Sequence, residues 1–544
     1  MKFHAALAKA LKHHGVTTLF GLIGDANLYL VDRFVADEGG RYVAAAHESG
    51  AVLMSYGYAR RSGRLGVSTV THGPAVTNTV TALTEGVRSR TPMLLIAGDT
   101  PVADRHNLQK IDQREVIAAS GAGFEQVGSA ATALADLAQA MRRAFAERRP
   151  IALNVPADLM WEEVDYHDDV PVGTAPLHAV RPDLDELDRA LGVIASVRRP
   201  VVLVGRGVSA AARPAVLRLA ERIGAPVATT LAGKGSLSAE TFALGICGTL
   251  SSDVGTETIL AADCIIAFGA SLNSFTTAGG SLTKDKAVVH CDSDPASIGR
   301  HLTPTAAVIG DAGAIAESML ELIESAEIPS TGFRSPALAE RLSEFHDVDH
   351  EDLGTDHSVD IRTALRRINT VVPQSRTVVT DGGRFIGQAL KLLDVPDPSS
   401  LTYSVAFGSI GLGTATAIGA GIAAPDVPVL LVTGDGGFMN GGLTEFNTAV
   451  REHVDLTIVV CNDGAYGAEH IQFRNKGMDP SLSMFRWPDF APVADALGGR
   501  GITVRGTQDL EAAEHAIAGR ARPLLIDLKL DPDRMPQLDQ PGRH

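Results

Sequence analysis

Aromatic side chains are scarce in this chain, only 5% of 544 residues, whereas glycine is abundant at 55 and apolar residues reach 45%. A core of that kind is built from alanine, valine and leucine, the usual material of strands alternating with helices. Basic residues are also in deficit: 48 Lys and Arg face 64 Asp and Glu, for a net charge of −16. A nucleic-acid binder needs a basic footprint, so that class is excluded. No apolar run reaches the length of a membrane span, and the opening MKFHAALAKALKHHG has no continuous apolar core of the signal-peptide kind. Its Phe3, Leu7, Ala10 and Leu11 fall on one helix face instead. The four cysteines, Cys247, Cys264, Cys291 and Cys461, are scattered with no metal-type pairing, which predicts buried free thiols and a reducing, cytoplasmic setting. Low-complexity tracts and short-period repeats are missing too.

A chain of this length exceeds one core, and three domains are expected. Two polar, proline-bearing stretches, 162–182 and 325–357, read as linkers and divide the chain into blocks at 1–165, 183–330 and 356–544. Each block alternates apolar, β-branched runs with helical patterns. TTLFGLIG, YVAAA, GVSTVT and MLLIAGD lie in the first; PVVLVGRG, PVATT, CIIAFGA and AVVHCD in the second; TVVTDGG, PVLLVTGDGG, LTIVVCNDG and PLLIDLKL in the third. The fold class that follows is α/β, with three doubly wound parallel sheets.

The most specific pattern is Gly434-Asp435-Gly436-Gly437-Phe438, followed 25 residues after Gly436 by Cys461-Asn462-Asp463-Gly464-Ala465-Tyr466-Gly467. Each segment ends an apolar run, and GGLTEFNTAVREH between them has helical spacing, so the unit is strand, helix, strand with both loops on one sheet edge. A hard divalent cation such as Mg²⁺ prefers oxygen ligands and commonly bridges them to a phosphate. Asp435, Asn462 and a main-chain carbonyl near Gly464 can supply the protein's share, and the glycines let the backbone approach a diphosphate. This spacing resembles that of the thiamine diphosphate (ThDP) enzymes, the 2-oxo acid decarboxylase and acetolactate-synthase-like family, whose signature is GDG, then Asn about 25 to 30 residues on.

The resemblance extends over nearly the whole chain. His47-Glu48-Ser49-Gly50 and Gly57-Tyr58-Ala59-Arg60 are similar to the family's pyrimidine-binding domain, which assigns Glu48 to the N1′ atom of the cofactor's aminopyrimidine as the activating acid/base. The family's Gly-Pro-Gly-x-Thr-Asn loop has its counterpart in Gly73-Pro74-Ala75-Val76-Thr77-Asn78, with Ala75 in place of a glycine. Gly408-Ser409-Ile410-Gly411 resembles the segment whose aliphatic side chain wedges under the cofactor, here Ile410. Thr380-Asp381-Gly382-Gly383 offers backbone donors to the diphosphate. The resemblance implies ThDP and Mg²⁺ as cofactors, with Thr77, Asn78, Asp381, Gly382, Gly383, Ser409, Ile410, Gly434, Asp435, Gly436, Gly437, Asn462, Gly464, Ala465 and Tyr466 around them. It also implies a homodimer or homotetramer whose sites join Glu48 of one chain to Asp435 of the partner subunit.

Signals for the reaction branch are mixed. Gly24-Asp25-Ala26-Asn27-Leu28 resembles the catalytic Gly-Asp-x-Asn-Leu of pyruvate and indolepyruvate decarboxylases; His106 falls where those enzymes carry a His-His pair, with Arg105 replacing the first, and Glu469 stands at the register of their C-terminal catalytic Glu. His72 lies near the position of a benzoylformate decarboxylase active-site histidine. Against these, Leu108-Gln109-Lys110-Ile111-Asp112 resembles the Phe-Gln-Glu-x-Asp of acetolactate synthases, which makes Gln109 a candidate for carboligation. In the middle block Gly269-Ala270-Ser271-Leu272-Asn273 lacks the arginine of the family's FAD-binding turn, which argues against FAD. The expected function is non-oxidative decarboxylation of a 2-oxo acid, with or without carboligation. Its rivals are an acetolactate-synthase-like transferase, an FAD-dependent oxidase and an inactive cofactor-binding paralogue.

Overall fold

The computed structural model describes residues 1–167, 180–344, 350–520 and 522–536. Three six-stranded sheets carry the chain. The first holds β1 (Thr18–Gly21), β2 (Arg41–Ala44), β3 (Gly66–Val70), β4 (Met93–Asp99), β5 (Gly123–Gln126) and β6 (Pro150–Pro156); the second holds β7 (Pro200–Val204), β8 (Val227–Thr229), β9 (Ala243–Ile246), β10 (Cys264–Phe268), β11 (Ala287–Asp292) and β12 (Ala306–Ile309). The third holds β13 (Thr377–Thr380), β14 (Leu401–Tyr403), β15 (Val429–Gly434), β16 (Leu456–Asn462), β17 (Arg500–Val504) and β18 (Leu524–Lys529). Pairing is parallel throughout the first two sheets and from β13 through β15, β16 and β18 to β17 in the third. The expected three-sheet α/β fold is therefore present. The apolar runs announce four strands per sheet; of the remaining six, all but β6 are edge strands, each three to five residues long.

Strand order separates the sheets into two kinds. The first runs β2-β1-β3-β4-β6-β5 and the third β14-β13-β15-β16-β18-β17, the same order when strands are counted within each sheet. The second runs β12-β11-β10-β7-β8-β9, the doubly wound dinucleotide order. Correspondingly, the described residues of Met1–Pro176, Leu353–Leu393 and Thr402–Met535 form one compact unit holding the first and third sheets. Leu177–Asp352, with Asp394–Leu401, forms a second unit around the middle sheet. The sequence-based linker at 325–357 contains the helix Pro336–Glu344, while 168–179 of the other linker and 537–544 of the last block lie outside the described residues. All four cysteines are free and buried.

Within the first unit, two helices that each follow the second strand of their sheet pack on each other. The helix Glu48–Ser62 starts where the His47 imidazole accepts the Ser49 N–H at 3.1 Å and ends at left-handed Gly63. Its residues Gly50–Ala59 are all buried, as are Gly413–Ile422 of the helix Gly413–Ala423. Small residues make this approach feasible. A Cβ at Gly57 would lie 2.0 Å from the Thr416 carbonyl oxygen, and one at Gly419 would lie 1.9 Å from that of Met54. A single apolar core runs from Phe20, Val43 and Val70 of the first sheet through both helices to Leu431, Ile458 and Leu525 of the third.

That contact is testable. Gly419→Val forces backbone apart in a filled core, and overpacking of this kind costs about 3 kcal/mol. Urea denaturation should register a loss of that order; a change below about 0.5 kcal/mol, the range of a surface substitution, would show that the helices do not touch there.

Candidate active site

In an open parallel sheet, ligands sit at the carboxyl ends of strands where the order reverses. In the third sheet that point lies between β13 and β15. Asp381 follows β13 and Asp435 follows β15, and both are almost fully buried. The two have different duties. Asp381 accepts the N–H groups of Gly382 and Gly411 and the Thr433 hydroxyl at 2.8, 3.0 and 3.1 Å, and burial holds its carboxyl above the usual range. It therefore anchors the loop Gly408–Gly413 and places Ile410 over Gly382, where a Cβ would stand 3.5 Å from the Ile410 Cγ2. Gly408 and Gly411, both left-handed at φ 87° and 86°, bracket Ser409 and Ile410.

Asp435 opens the short helix Asp435–Gly437, which continues through a π-helical turn, Phe438–Gly442, into the helix Leu443–Arg451. Such turns insert one residue and recur at functional sites. The Asp435 carboxylate accepts the Gly436 N–H at 2.7 Å and the Gly464 N–H at 2.8 Å, so the two loops expected to be neighbours are joined directly. Asn462 ends β16 and donates its side-chain N–H to Asp527 on β18 at 2.8 Å, which leaves the amide oxygen as its acceptor. The Gly464 carbonyl accepts from the Phe485 N–H at 2.7 Å. Tyr466 lays its ring over Gly436, whose absent side chain makes room: a Cβ there would lie 2.4 Å from the ring. Ala465 is buried beside Asp463, whose carboxylate accepts its N–H at 3.1 Å.

Asp463 is a site residue that the sequence reading did not single out; adjacency to Asn462 is the signal that marks it. Burial, then the Asp435 charge, pushes the Asp463 carboxyl up to about 7, and burial pushes that of Asp435 up to about 6. Two desolvated carboxylates in adjoining loops are unfavourable as a pair of anions and suit a hard divalent cation. Among the described residues no cluster of three or more His, Cys, Asp or Glu side chains forms a metal site on its own. Nearby, the helix Gly467–Asn475 carries Glu469, exposed in its first turn. His470 of that helix meets Asp533 at 2.9 Å, and Arg384 donates to the Pro532 carbonyl at 2.6 Å, tying the segment Asp531–Met535 to these loops.

The first sheet repeats the arrangement with other residues. Its order reverses between β1 and β3, whose loops carry Asp25 and His72. His72 is buried and its Nε2 stands 3.4 Å from the Asp25 carboxylate, which also accepts the Thr71 hydroxyl at 2.9 Å. Asp25 is 77% exposed, so the pair presents a carboxylate to the open face with an imidazole behind it. The His72 Nδ1 has no hydrogen-bond partner among the described residues. Gln109 is brought to the same place: a Cβ at left-handed Gly73 would lie 2.2 Å from its carbonyl oxygen. Gln113, buried below, accepts the Gly73 N–H at 2.7 Å and donates to Asn154 at 2.6 Å. His106 stands exposed in the same connection.

Glu48 opens its helix with its carboxylate 14% exposed, accepting the Asn78 amide at 3.0 Å. Ala75 lies in the short helix Pro74–Thr77, a right-handed conformation that does not require glycine, and the Thr77 hydroxyl turns back to the Pro74 carbonyl at 2.8 Å. In the second unit the loops after β7 and β10 meet backbone to backbone, where the Gly207 N–H donates to the Gly269 carbonyl at 3.0 Å.

Twinned sheets, the third with buried Asp435 and the neighbouring Asp463 at the ends of its strands and the first with Glu48 opening the helix after β2, have the make-up of a cofactor-dependent α/β enzyme. Comparison with known families agrees along the chain. Residues 1–118 match the thiamine pyrophosphate enzyme N-terminal TPP-binding domain, 187–319 the central domain and 381–528 the C-terminal TPP-binding domain. A sulfoacetaldehyde acetyltransferase of Rhodobacter capsulatus is 30% identical over 561 residues, covering 96% of this chain and 92% of the relative. A probable 2-ketoarginine decarboxylase of Pseudomonas aeruginosa is 30% identical over 540 residues, covering 96% and 93%. A probable acetolactate synthase large subunit of Methanocaldococcus jannaschii is 26% identical over 573 residues, covering 100% and 94%. The chain belongs to the thiamine diphosphate-dependent enzyme family, and its cofactor is thiamine diphosphate with Mg²⁺ as the usual metal of that family. Among the described residues no helix is long and apolar enough to cross a membrane.

The carboxylate pair makes stability depend on pH with a defined sign. Asp435 and Asp463 keep their protons to about pH 6 and about pH 7 in the folded chain, whereas an unfolded Asp loses its proton near about pH 4. Between these limits the folded state binds more protons, so stability falls as pH rises through that window and levels off above it. A bound cation replaces the protons. Thermal-shift measurements with ThDP should therefore show a larger Mg²⁺-induced rise in Tm at about pH 8 than at about pH 5.5, and equal rises would mean that these carboxylates are not ligands.

Proposed function

We propose that this protein decarboxylates a 2-oxo acid without net oxidation, and passes the remaining fragment either to a proton, releasing an aldehyde, or to a second carbonyl compound. The observation that carries the reading is the Asp25–His72 pair at the switch point of the first sheet, a proton-handling group whose carboxylate is exposed. Bound ThDP would supply a nucleophilic C2 and a cationic thiazolium ring able to take up the electron pair left by departing CO₂. Everything else falls to the chain. Glu48 holds a proton at N1′ of the aminopyrimidine, and Asn78 orients its carboxylate. Asp435, Asp463 and the Asn462 amide oxygen hold the cation, with the Gly464 carbonyl beside them. Gly434, Gly436, Gly437, Gly382, Gly383 and Ala465 admit the diphosphate, while Ser409, Ile410, Thr77 and Tyr466 fix the rings. His72 and Asp25 hold and deliver the proton that ends the aldehyde branch, with exposed Glu469 and His106 as further candidates for that transfer.

The acyl-transfer branch is favoured by a separate observation: the backbone of Gln109 is pinned at Gly73, next to His72. Two of the relatives also bear transferase or synthase names. FAD has no place in this reading, because Ser271-Leu272-Asn273 follow Gly269-Ala270 without an arginine and the backbone of Gly207 packs on Gly269. Self-association completes the site in a dimer or tetramer. Large apolar groups in the loops around it are exposed in the single chain, Leu108 at 97%, Leu482 at 75% and Phe407 at 43%, which supports a second copy as the cover. A cytoplasmic enzyme with no nucleic-acid partner fits the acidic charge.

The test combines two variants with a product panel. Glu48→Gln keeps the size of the group but cannot share a proton with N1′, so NMR-detected exchange of the cofactor C2 proton should slow at least about a hundredfold. Unchanged exchange would remove Glu48 from the mechanism. His72→Gln and Asp25→Asn should each reduce aldehyde release by roughly a hundred- to ten-thousandfold while CO₂ release from a reactive 2-oxo acid persists. Aldehyde formed at the parent rate in both variants, or mass spectra showing only ligated products in the parent, would replace the decarboxylase branch by the transferase.

A further inference from the structure

The twinned strand order extends to a twinned pair of contacts. In the first sheet the helix after the third strand, Val80–Arg88, carries Glu85; in the third sheet the helix after the third strand, Leu443–Arg451, carries Glu445. Both carboxylates are buried at 0% and 1% exposure, and neither serves its own sheet. Glu445 reaches across to the loop after β2 and accepts the N–H groups of Ala46 and His47 at 3.1 and 3.2 Å. Glu85 reaches the other way, to the loop after β14, and accepts the N–H groups of Ala406 and Phe407 at 3.0 and 2.8 Å.

Each carboxylate ends immediately before a residue with a proposed cofactor role. Glu48 follows His47, and Gly408-Ser409-Ile410 follow Phe407. On the Ile410 side the segment is suspended between two carboxylates, Glu85 at Ala406 and Phe407 and Asp381 at Gly411, with left-handed Gly408 and Gly411 as its only unbranched swivels. On the Glu48 side Gly50 leaves the space through which Glu445 enters, since a Cβ there would lie 2.0 Å from the Glu445 Oε1, and the Thr448 hydroxyl orients Oε2 at 2.8 Å. A buried carboxylate bonded to backbone N–H groups makes charge-assisted hydrogen bonds, and removing it orphans both donors. A carboxylate that merely capped its own helix would not cross to the other sheet.

We propose that Glu85 and Glu445 are positioning residues that work reciprocally: Glu85 sets the Ser409–Ile410 support under the cofactor, and Glu445 sets the reach of Glu48 toward it. The proposal rests on the cofactor roles given above for Glu48 and Ile410. Docking of the first and third sheets within one chain then aligns two half-sites at once, Glu48 for one cofactor and Ile410 for another, each half-site completed by the partner subunit.

The experiment compares Glu85→Gln with Glu445→Gln in the full-length protein with Mg²⁺: at Glu85 each oxygen takes one N–H, so the amide keeps one acceptor and turns an N–H toward the other donor, whereas at Glu445 one oxygen takes both N–H groups, so the amide keeps both bonds but removes the charge that strengthens them. Three readouts are taken: ThDP affinity by calorimetry, C2-proton exchange of the saturated cofactor by NMR, and amide hydrogen exchange of the segments 44–50 and 404–412. Glu85→Gln should weaken ThDP affinity about tenfold or more while C2 exchange stays within about threefold, and only 404–412 should exchange faster. Glu445→Gln should do the reverse, slowing C2 exchange about tenfold or more with affinity within about threefold, and only 44–50 should exchange faster. Should Glu445→Gln fail to fold, Thr448→Val, which removes the orienting hydroxyl, must show the same split in weaker form; Glu85→Asp, which withdraws the carboxylate by one methylene, serves likewise for Glu85. Parallel losses in both readouts, as for a purely structural defect, or unchanged amide exchange in both segments would overturn the proposal. Glu48→Gln run alongside separates the two questions: if it leaves C2 exchange at the parent rate, the role of Glu48 has failed, whereas the amide exchange still decides the clamps.

Discussion

Two helices meet backbone to backbone, and the chain carries glycine where they touch. Because Gly57 lies against Thr416 and Gly419 against Met54, the helices Glu48–Ser62 and Gly413–Ala423 sit closer than side chains would allow. That proximity places the first residue of one helix and the loop leading into the other within reach of carboxylates from the opposite sheet. Without the close approach, Glu445 would not reach Ala46 and His47, and Glu85 would not reach Ala406 and Phe407. Helix packing thus determines cofactor-site geometry before any cofactor contact is considered.

A second constraint is electrostatic. Glu85, Asp381, Asp435, Glu445 and Asp463 are acids taken out of water within one compact unit, and burial raises the carboxyl of each above its ordinary range. They are tolerated for two different reasons. Glu85, Glu445 and Asp381 are each surrounded by backbone N–H or hydroxyl donors, which supply most of what water would have supplied. Asp435 also accepts the Gly436 and Gly464 N–H groups, and its charge is a further cause, after burial, of the raised Asp463 carboxyl, a repulsion that protons or a cation relieve. The first three anchor loops; the proposed cation site lies at the last two. Burial alone does not distinguish the two groups, but the company each carboxylate keeps does.

The twinned strand order gives the unit two switch points, and the chain loads them differently. The third sheet's crevice has glycines, a helix start and paired carboxylates, a surface for a cation and phosphate. The first sheet's crevice has Asp25, His72 and the backbone of Gln109, where the proposed proton transfer takes place.

Local chemistry made much of this legible in the sequence. Continuous apolar β-branched runs ending in Gly-Asp-Gly and Cys-Asn-Asp-Gly announce buried parallel strands and their loops, because strand burial and turn geometry are decided within a few residues. Edge strands such as β5, β9 and β17 were not legible, since a half-exposed strand needs no apolar run. The proposed cation site was legible through Asp435 but not through Asp463, whose carboxyl is raised by burial and by the Asp435 charge from the neighbouring loop. Asp25 and His72 were each visible as polar residues after a strand; that they form a pair depends on β1 lying beside β3 in register. Glu85 and Glu445 carried no local mark, since each is a helical glutamate whose partners lie 321 and 399 residues away. The sequence by itself determined strands, turns and the cofactor class, which depend on neighbours in the chain; only the tertiary structure decided which buried acids anchor loops and which await a cation, because that depends on groups brought together from distant segments.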